Sequence, residues 1–441
     1  MRASRRAARP PAAGRIPFAE AARQRRCGNG ALLLVLENHF NPTVAISGSL
    51  HAGTLFAPAD RRLIASVTAG ELAKGTRKRT KLQIAEDLES RAASLSFSSD
   101  SSDPVGLDIA GSSLSRDVDL LLDRLVEILR MPVFPEEELE KEKKRLVGSI
   151  REQQDKTSAR AYETAVRRVY PRGHPFHRRT GQERIASVEA LRREDLVGFY
   201  EERYGADTLQ LVVVGDVQAE RIFDGLERRL GNWKRGPGAG IPAVAVPGPA
   251  PGRETVEMPD KASADVCLLA PFDVRRADAE YLPCTIANAA LGQSSLTSRL
   301  GVRVRDTEGL TYGIHSSFHA THLPGPFVVS LTVKPANLDA ALHSTLDEIG
   351  RFLRKGMTEK EFREEQSSRI GKFQVDLASN SGIAQALDAA VYYGLGLAYL
   401  DEFPARVGAV TREEAQEGFR KRVHPDRFTI VSAGSFKPKT S

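Results

Sequence analysis

The chain is poor in the residues that staple small folds or hold cofactors: among its 441 residues are 3 Cys, 4 Met, 1 Trp and 9 His. Cys27, Cys267 and Cys284 have no paired short spacing, which argues against both a disulfide framework and a thiolate metal centre. Nowhere is there a run of roughly 18 to 20 apolar residues of the kind that spans a membrane. A phosphate loop, a nucleophile elbow and a dinucleotide fingerprint are all missing; VVVGDV, at 212–217, ends a strand pattern without the glycine series that phosphate binding needs.

Charge of one sign is concentrated rather than spread. Residues 1–30 carry eight Arg against the single acid Glu20, so a total of +6 leaves the rest of the chain at −1. A near-neutral body does not make a surface that tracks nucleic-acid phosphates. The Arg-rich head lacks the apolar core of a secretory signal, and its Arg5-Arg6 pair leads into Pro10-Pro11. It reads as a flexible tail, and the chain as cytoplasmic.

What is present is an ordinary globular composition, 41% hydrophobic and 27% charged, and an internal repetition. The most Pro/Gly-rich stretch, RGPGAGIPAVAVPGPAPGR at 235–253, has the composition of a linker. Before it, LRREDLVGFYEERYGADTLQLVVVGD from Leu191 has the order charged helix, turn, buried strand. At the chain end, TREEAQEGFRKRVHPDRFTIVSAGSF from Thr411 repeats that order, with Gly198-Phe199 matching Gly418-Phe419. Segments from Ser115 and from Ala336 match in the same way, each a helix, a break and an acidic helix. Two copies of one unit of about 200 residues explain this better than chance. The expected organisation is a basic tail over 1–29, a first repeat over 30–234, the linker over 235–253 and a second repeat over 254–441.

Alternating runs at 43–50, 94–99, 106–111 and 327–333 predict strands of a mostly antiparallel sheet in each copy. Amphipathic segments at 118–130, 136–155, 358–377 and 381–393 predict helices on one sheet face. The fold class is therefore α+β, two homologous repeats of a sheet covered by helices on one face. The other face must be covered by the opposite half or by another subunit.

The order of strand VAISGSLHAG, a helix ending at Lys74-Gly75-Thr76, the helix VDLLLDRLVEIL, the helix start FPEEELEKEKKRL, HPF at 174–176 and VVVGD resembles the pitrilysin/insulinase family of zinc peptidases. TSRLGVRVRDTEGLTYGI at 297–314 and YYGLGLAYL at 392–400 continue the resemblance over about residues 30–438. The resemblance implies a processing-peptidase-like fold. Active members carry His-x-x-Glu-His before the Lys-Gly-Thr-like turn, two His holding zinc and the Glu serving as general base. The corresponding positions here are Ser66, Ala69 and Gly70, and the later Glu pair of the family falls on Gly148 and Ser149. None of these five can bind zinc usefully or take a proton from water. The resemblance thus implies a degenerate site and no metal in this chain.

Family members also place an Arg and a Tyr opposite the metal in a pattern like Arg-x-x-x-Gly-Leu-x-Tyr, and Arg305, Gly309, Leu310 and Tyr312 keep that spacing. The implied roles are an oxyanion donor for Tyr312 and a holder of substrate carbonyls for Arg305, with Gly309 in the same substrate-binding segment. An alternative gives Arg305 to a helix end and makes Tyr312 a half-buried strand aromatic. Residues for one half of a site imply that the other half stands in a homologous, zinc-bearing partner chain acting on peptides. The competing expectations are a scaffold or peptide-binding protein of the same fold, and a self-contained hydrolase using His315, His319 and His322. The cationic run Lys74 to Lys81 reads as a solvated turn.

Overall fold

The computed structural model describes residues 17–100, 102–238 and 240–436. Its first sheet contains β1 (Arg23–Arg26), β2 (Leu32–Glu37), β3 (Thr43–Leu50), β4 (Ser94–Ser98), β5 (Leu107–Leu114) and β6 (Leu209–Gly215), in the order β1-β2-β6-β3-β5-β4. The second contains β7 (Gly252–Glu257), β8 (Ala264–Pro271), β9 (Thr311–Ala320), β10 (Pro324–Val333) and β11 (Thr429–Gly434), in the order β7-β11-β8-β10-β9. Apart from β1 the two orders coincide. Each sheet has one parallel pairing at the same place, β2 with β6 and β7 with β11, and is otherwise antiparallel. The α+β fold with two repeat-like halves is the one expected.

Helices form where the apolar period is 3.6, and several carry their own start signals. Thr80, Thr180, Thr358 and Thr411 each cap a helix and are answered three residues on by Gln83, Glu183, Glu361 and Glu414. Helices at Val118–Arg130 and Glu136–Asp155 match the expected spans.

The central strands read as continuous apolar runs because both of their faces are buried. Leu33, Val35, Leu211 and Val213 face the helices of their own half. Leu34, Leu36, Val212 and Val214 face the other way, into a core made mostly by the second half. The helix Asn380–Tyr392, from the second half, lies on β3 and β6; the helix Thr157–Val169, from the first half, lies on β8 and β11. Each half thus lends a helix to cover the other's sheet. At ~1.5–3 kcal/mol for each large apolar side chain buried, this exchange welds the halves. Of the two expected covers, the opposite half is the one found, so the sheet faces do not call for a second chain.

Two expectations on segment boundaries need correction. Residues 17–29 are not a loose tail: Phe18–Ala21 is a helical turn whose Phe18 and Ala19 amides donate to the Asp401 carboxylate, and β1 adds an edge strand to β2. Apolar Phe18 is buried at that contact, which is why the segment is held. The remainder of the expected tail, 1–16, lies outside the described residues. Among its described residues the Pro/Gly-rich segment has no helix or strand before β7, yet Ile241, Val244 and Ala250 pack on the core beneath the Thr157–Val169 helix.

Candidate functional site

The helix Leu63–Glu71 is short and apolar, with Ile64, Ala65, Val67 and Thr68 buried, and it packs on the long acidic helix Glu136–Asp155. Ser66, Ala69 and Gly70 stand on the first helix and Gly148 and Ser149 on the second, so folding brings the five degenerate positions onto two adjoining helices. Gly70 and Gly148 are exposed, and a Cβ at either would meet no atom within 4 Å. Room exists at these two positions, but neither carries a donor. Serine hydroxyls, alanine and glycine do not fit zinc, which needs imidazole, thiolate or carboxylate. Among the described residues no group of three or more His, Cys, Asp or Glu is arranged to hold a metal ion.

Glu71, the residue after Gly70, is a buried ionisable group beside these positions that sequence reasoning missed. It is fully buried, and neither carboxylate oxygen has a hydrogen-bond partner. Burial pushes its carboxyl up to about 7, with Glu142 and Glu138 adding to the rise and Lys74 opposing it. The available signal was periodicity: Ile64, Thr68 and Glu71 lie at helical spacing on the buried side.

The cationic turn is only partly solvated. Arg77 and Lys78 are exposed, whereas Thr76 Oγ1 donates to buried Glu127 at 2.6 Å, Arg79 Nη1 donates to the same carboxylate, and Arg124 Nη1 joins it at 2.6 Å. The turn is therefore anchored beside the degenerate helix.

Arg305 and Tyr312 are brought together on the second half. Arg305 belongs to a π-helical segment, Gly301–Thr307, and Gly309 follows with φ +62°, a left-handed conformation that suits glycine and turns the chain into β9. Arg305 Nε donates to the Tyr312 carbonyl at 3.2 Å, and Nη1 pairs with Asp306 at 2.8 Å. The register of β9 against β10 passes from Gly313 to Thr311, so Tyr312 is bulged at a sheet edge. Tyr312 is 60% exposed, which departs from the half-buried strand aromatic of the alternative reading, and its hydroxyl makes no hydrogen bond to a described residue. No hydrogen bond or ion pair joins this pair to the degenerate positions among the described residues.

The three histidines do not converge. His315 is exposed on β9, His319 is half-buried with Arg178 nearby, and the His322 ring packs at 4.6 Å from Tyr392 and 5.1 Å from Tyr393. Burial lowers the basicity of His319 and His322. His322 belongs to an aromatic cluster where the halves meet.

Residues 33–179 match the family model described as insulinase (peptidase family M16), and residues 190–369 match that described as the peptidase M16 inactive domain. Between them they take in most of the chain, which belongs to the M16 family. An uncharacterized zinc protease of Rickettsia felis is 25% identical over 81% of this chain and 82% of its own length. The non-peptidase homolog YmxG of Helicobacter pylori is 23% identical over 82% of this chain and 81% of its own. A crystal structure of a peptidase M16 inactive domain from Pseudomonas fluorescens superposes with a TM-score of 0.84, at 24% identity, over 95% of this chain and 99% of that one. The periplasmic protease PqqL from Escherichia coli superposes with a TM-score of 0.80, at 14% identity, over 99% of this chain but 48% of its own. This protein has the fold of inactive M16 proteins, and no described helix is long and apolar enough to cross a membrane.

Proposed function

We propose that this chain is the metal-free subunit of a two-chain zinc metallopeptidase, inactive alone, which supplies Arg305 and Tyr312 to a site whose zinc is held by a homologous partner. The observation that carries this reading is the asymmetry of the two halves. Every donor is missing where the family binds metal, while an Arg and a Tyr stand at the family spacing on an exposed edge. A phenol with a free hydroxyl can donate to the oxyanion that develops on a scissile carbonyl of a peptide bound across the interface. The guanidinium of Arg305 holds the Tyr312 backbone through the carbonyl and keeps N–H groups for substrate carbonyls. That the whole chain corresponds to less than half of PqqL supports a complete enzyme containing two such units. The organisation into two repeats joined by the segment at 235–253 belongs to the same proposal, as does residence of the complex in the cytoplasm.

The test is reconstitution with a homologous chain carrying His-x-x-Glu-His. Tyr312→Phe keeps the ring and removes one donor, so turnover of the assembled pair should fall by about a hundredfold or more, the scale for one oxyanion donor. Arg305→Lys should mainly weaken peptide binding, since the planar fork is lost. Unchanged turnover in a fully assembled Tyr312→Phe complex would reject the reading. The second reading, a peptide-binding or scaffold protein of the same fold, is favoured by the Asp306 carboxylate that already pairs with Arg305. That reading expects peptide binding without zinc or turnover in any complex.

A further inference from the structure

A cavity of about 1030 Å³ opens in the second half, between the helices Tyr281–Asn288, Glu359–Asp376, Asn380–Tyr392 and Ala398–Ala409. The first two occupy the places in the second repeat that the degenerate helices occupy in the first. Its size suits a small organic ligand. It lies apart from Arg305 and Tyr312, neither of which lines it.

Two guanidiniums line the cavity without a carboxylate. Arg276 is half-buried, its guanidinium 4.2 Å from the centre of the Tyr281 ring and 5.5 Å from that of Tyr399. Among the described residues its guanidinium makes one hydrogen bond, at 3.4 Å, to the Tyr399 hydroxyl. Arg369 reaches only the Thr285 carbonyl, at 3.5 Å, the outer limit of a hydrogen bond. Burial lowers its basicity. Neither cation has a carboxylate oxygen within 4 Å among the described residues. Some partly buried arginines elsewhere are paired with a carboxylate, as Arg299 is with Glu361 and Arg184 with Glu163, whereas Arg62 and Arg193 are satisfied by two main-chain carbonyls each. Arg276 and Arg369 have neither kind of full satisfaction, and a guanidinium taken from water without an acceptor is costly, so the two together offer donors to an anion in the cavity they share.

The remaining charges facing the cavity offset this in part. Lys372 pairs with Asp376 at 3.1 Å, and Glu365, one helical turn before Arg369, makes no ion pair with it but favours its cationic form, while burial raises the Glu365 carboxyl. Tyr281, Phe373, Tyr399 and Phe403 give one part of the wall aromatic faces, and Gln293, Ser294, Thr297, Ser368 and Gln385 give another part polar ones. Stacking on tyrosine faces occupies the plane of a guanidinium and leaves its in-plane N–H groups for an acceptor. We infer that this cavity binds a carboxylate with an aromatic or apolar body, held by Arg276 and Arg369. Such a carboxylate is either the C-terminus of a short peptide or a free aryl-alkyl acid.

Calorimetric titration of the full chain decides this, with N-acetyl-Ala-Phe, its C-terminal amide, 3-phenylpropionate and inorganic phosphate as probes. The expected result is that N-acetyl-Ala-Phe binds and its amide does not. Comparable binding of 3-phenylpropionate assigns the site to free acids, and much weaker binding assigns it to peptide ends. Arg369→Gln and Arg276→Gln should each weaken the carboxylate by roughly tenfold or more, the scale of one charge-assisted bond, with the melting temperature reporting that each variant is folded. If one variant does not fold, the other carries the comparison, and equal binding of acid and amide overturns the inference without any variant. No binding of either acid at millimolar concentration, binding indifferent to both substitutions, or binding of phosphate alone would equally overturn it. Because Arg305 and Tyr312 are not involved, the result is independent of whether the chain has a peptidase partner.

Discussion

Gln210 in β6 donates from Nε2 to the main-chain oxygen of Asp388 at 2.7 Å and also to its carboxylate, so one side chain of the first half ties both ends of a residue from the second. Ser47 and Ser49 of β3 donate to the same carboxylate, at 3.1 and 3.4 Å. The borrowed helix is thereby pinned in register on the sheet it covers. The pseudo-equivalent contact runs the other way: Thr157, at the start of the first half's lent helix, donates to Asp265 in β8.

The Asp388 carboxyl is pushed up to about 7 by burial, against the donors from Gln210 and Ser47, with Asp108 adding to the rise. A carboxyl raised in the folded state keeps its proton where the unfolded chain has already released it. Its contribution is therefore fully present below about pH 4 and is lost as pH rises to about 7, by up to ~4 kcal/mol. Asp388→Asn should remove that part of the slope, so urea unfolding should show the variant gaining on the parent between about pH 4 and pH 8. An unchanged difference across that range would mean that Asp388 is ionised throughout.

Glu71 behaves in the same sense without any compensating donor. Its carboxyl, also raised to about 7 by burial, costs stability as pH rises from about 4.5. Glu71→Met preserves length and removes the unpartnered oxygens. The variant should be more stable than the parent by ~1–3 kcal/mol at about pH 8, after allowance for screening by nearby solvent, and by less at about pH 5. Thermal unfolding at the two pH values measures this.

Gly70 and Gly148 sit in helices with open space around an added Cβ. Gly70→Ala and Gly148→Ala should each stabilise the chain by about 1 kcal/mol through the lower entropy of the unfolded state and the better helix propensity of alanine. Both should raise the melting temperature additively, since neither new methyl group touches a neighbour. A fall in melting temperature for either would show that the space is filled by something other than water.

Zinc should not survive dialysis of the purified chain. Ser66, Ala69, Gly70, Gly148 and Ser149 offer no ligand set, and Glu71, the nearest acid in sequence, is buried beside Lys74. Elemental analysis should find far less than one zinc per chain, and one equivalent would contradict the degenerate site.

Much was legible in the residues themselves. The repeat showed because helix and strand periods are local, and two copies of the same order expose each other. Ser66, Ala69, Gly70, Gly148 and Ser149 are singled out through the family resemblance, and they lack zinc donors whatever the chain does afterwards. Arg305, Gly309 and Tyr312 could be picked out through the family resemblance, although the pattern says nothing of the bulge that exposes Tyr312 or of the Asp306 carboxylate beside Arg305.

The rest was decided by contacts between distant residues. The apolar runs Leu32–Glu37 and Leu209–Gly215 say that both sheet faces are covered, but a run of leucines and valines is equally satisfied by a neighbour's helix, a partner chain or the chain's own other half. Only the tertiary structure shows that Asn380–Tyr392 and Thr157–Val169 are exchanged, that Phe18 anchors part of what looks like a tail, and that Glu71 is sealed from water. Arg276 and Arg369 look in sequence like ordinary surface cations, because charge and hydropathy are properties of a residue whereas an unpaired charge is a property of its surroundings. Local periodicity is written along the chain, and desolvation is settled only when segments hundreds of residues apart close over one another.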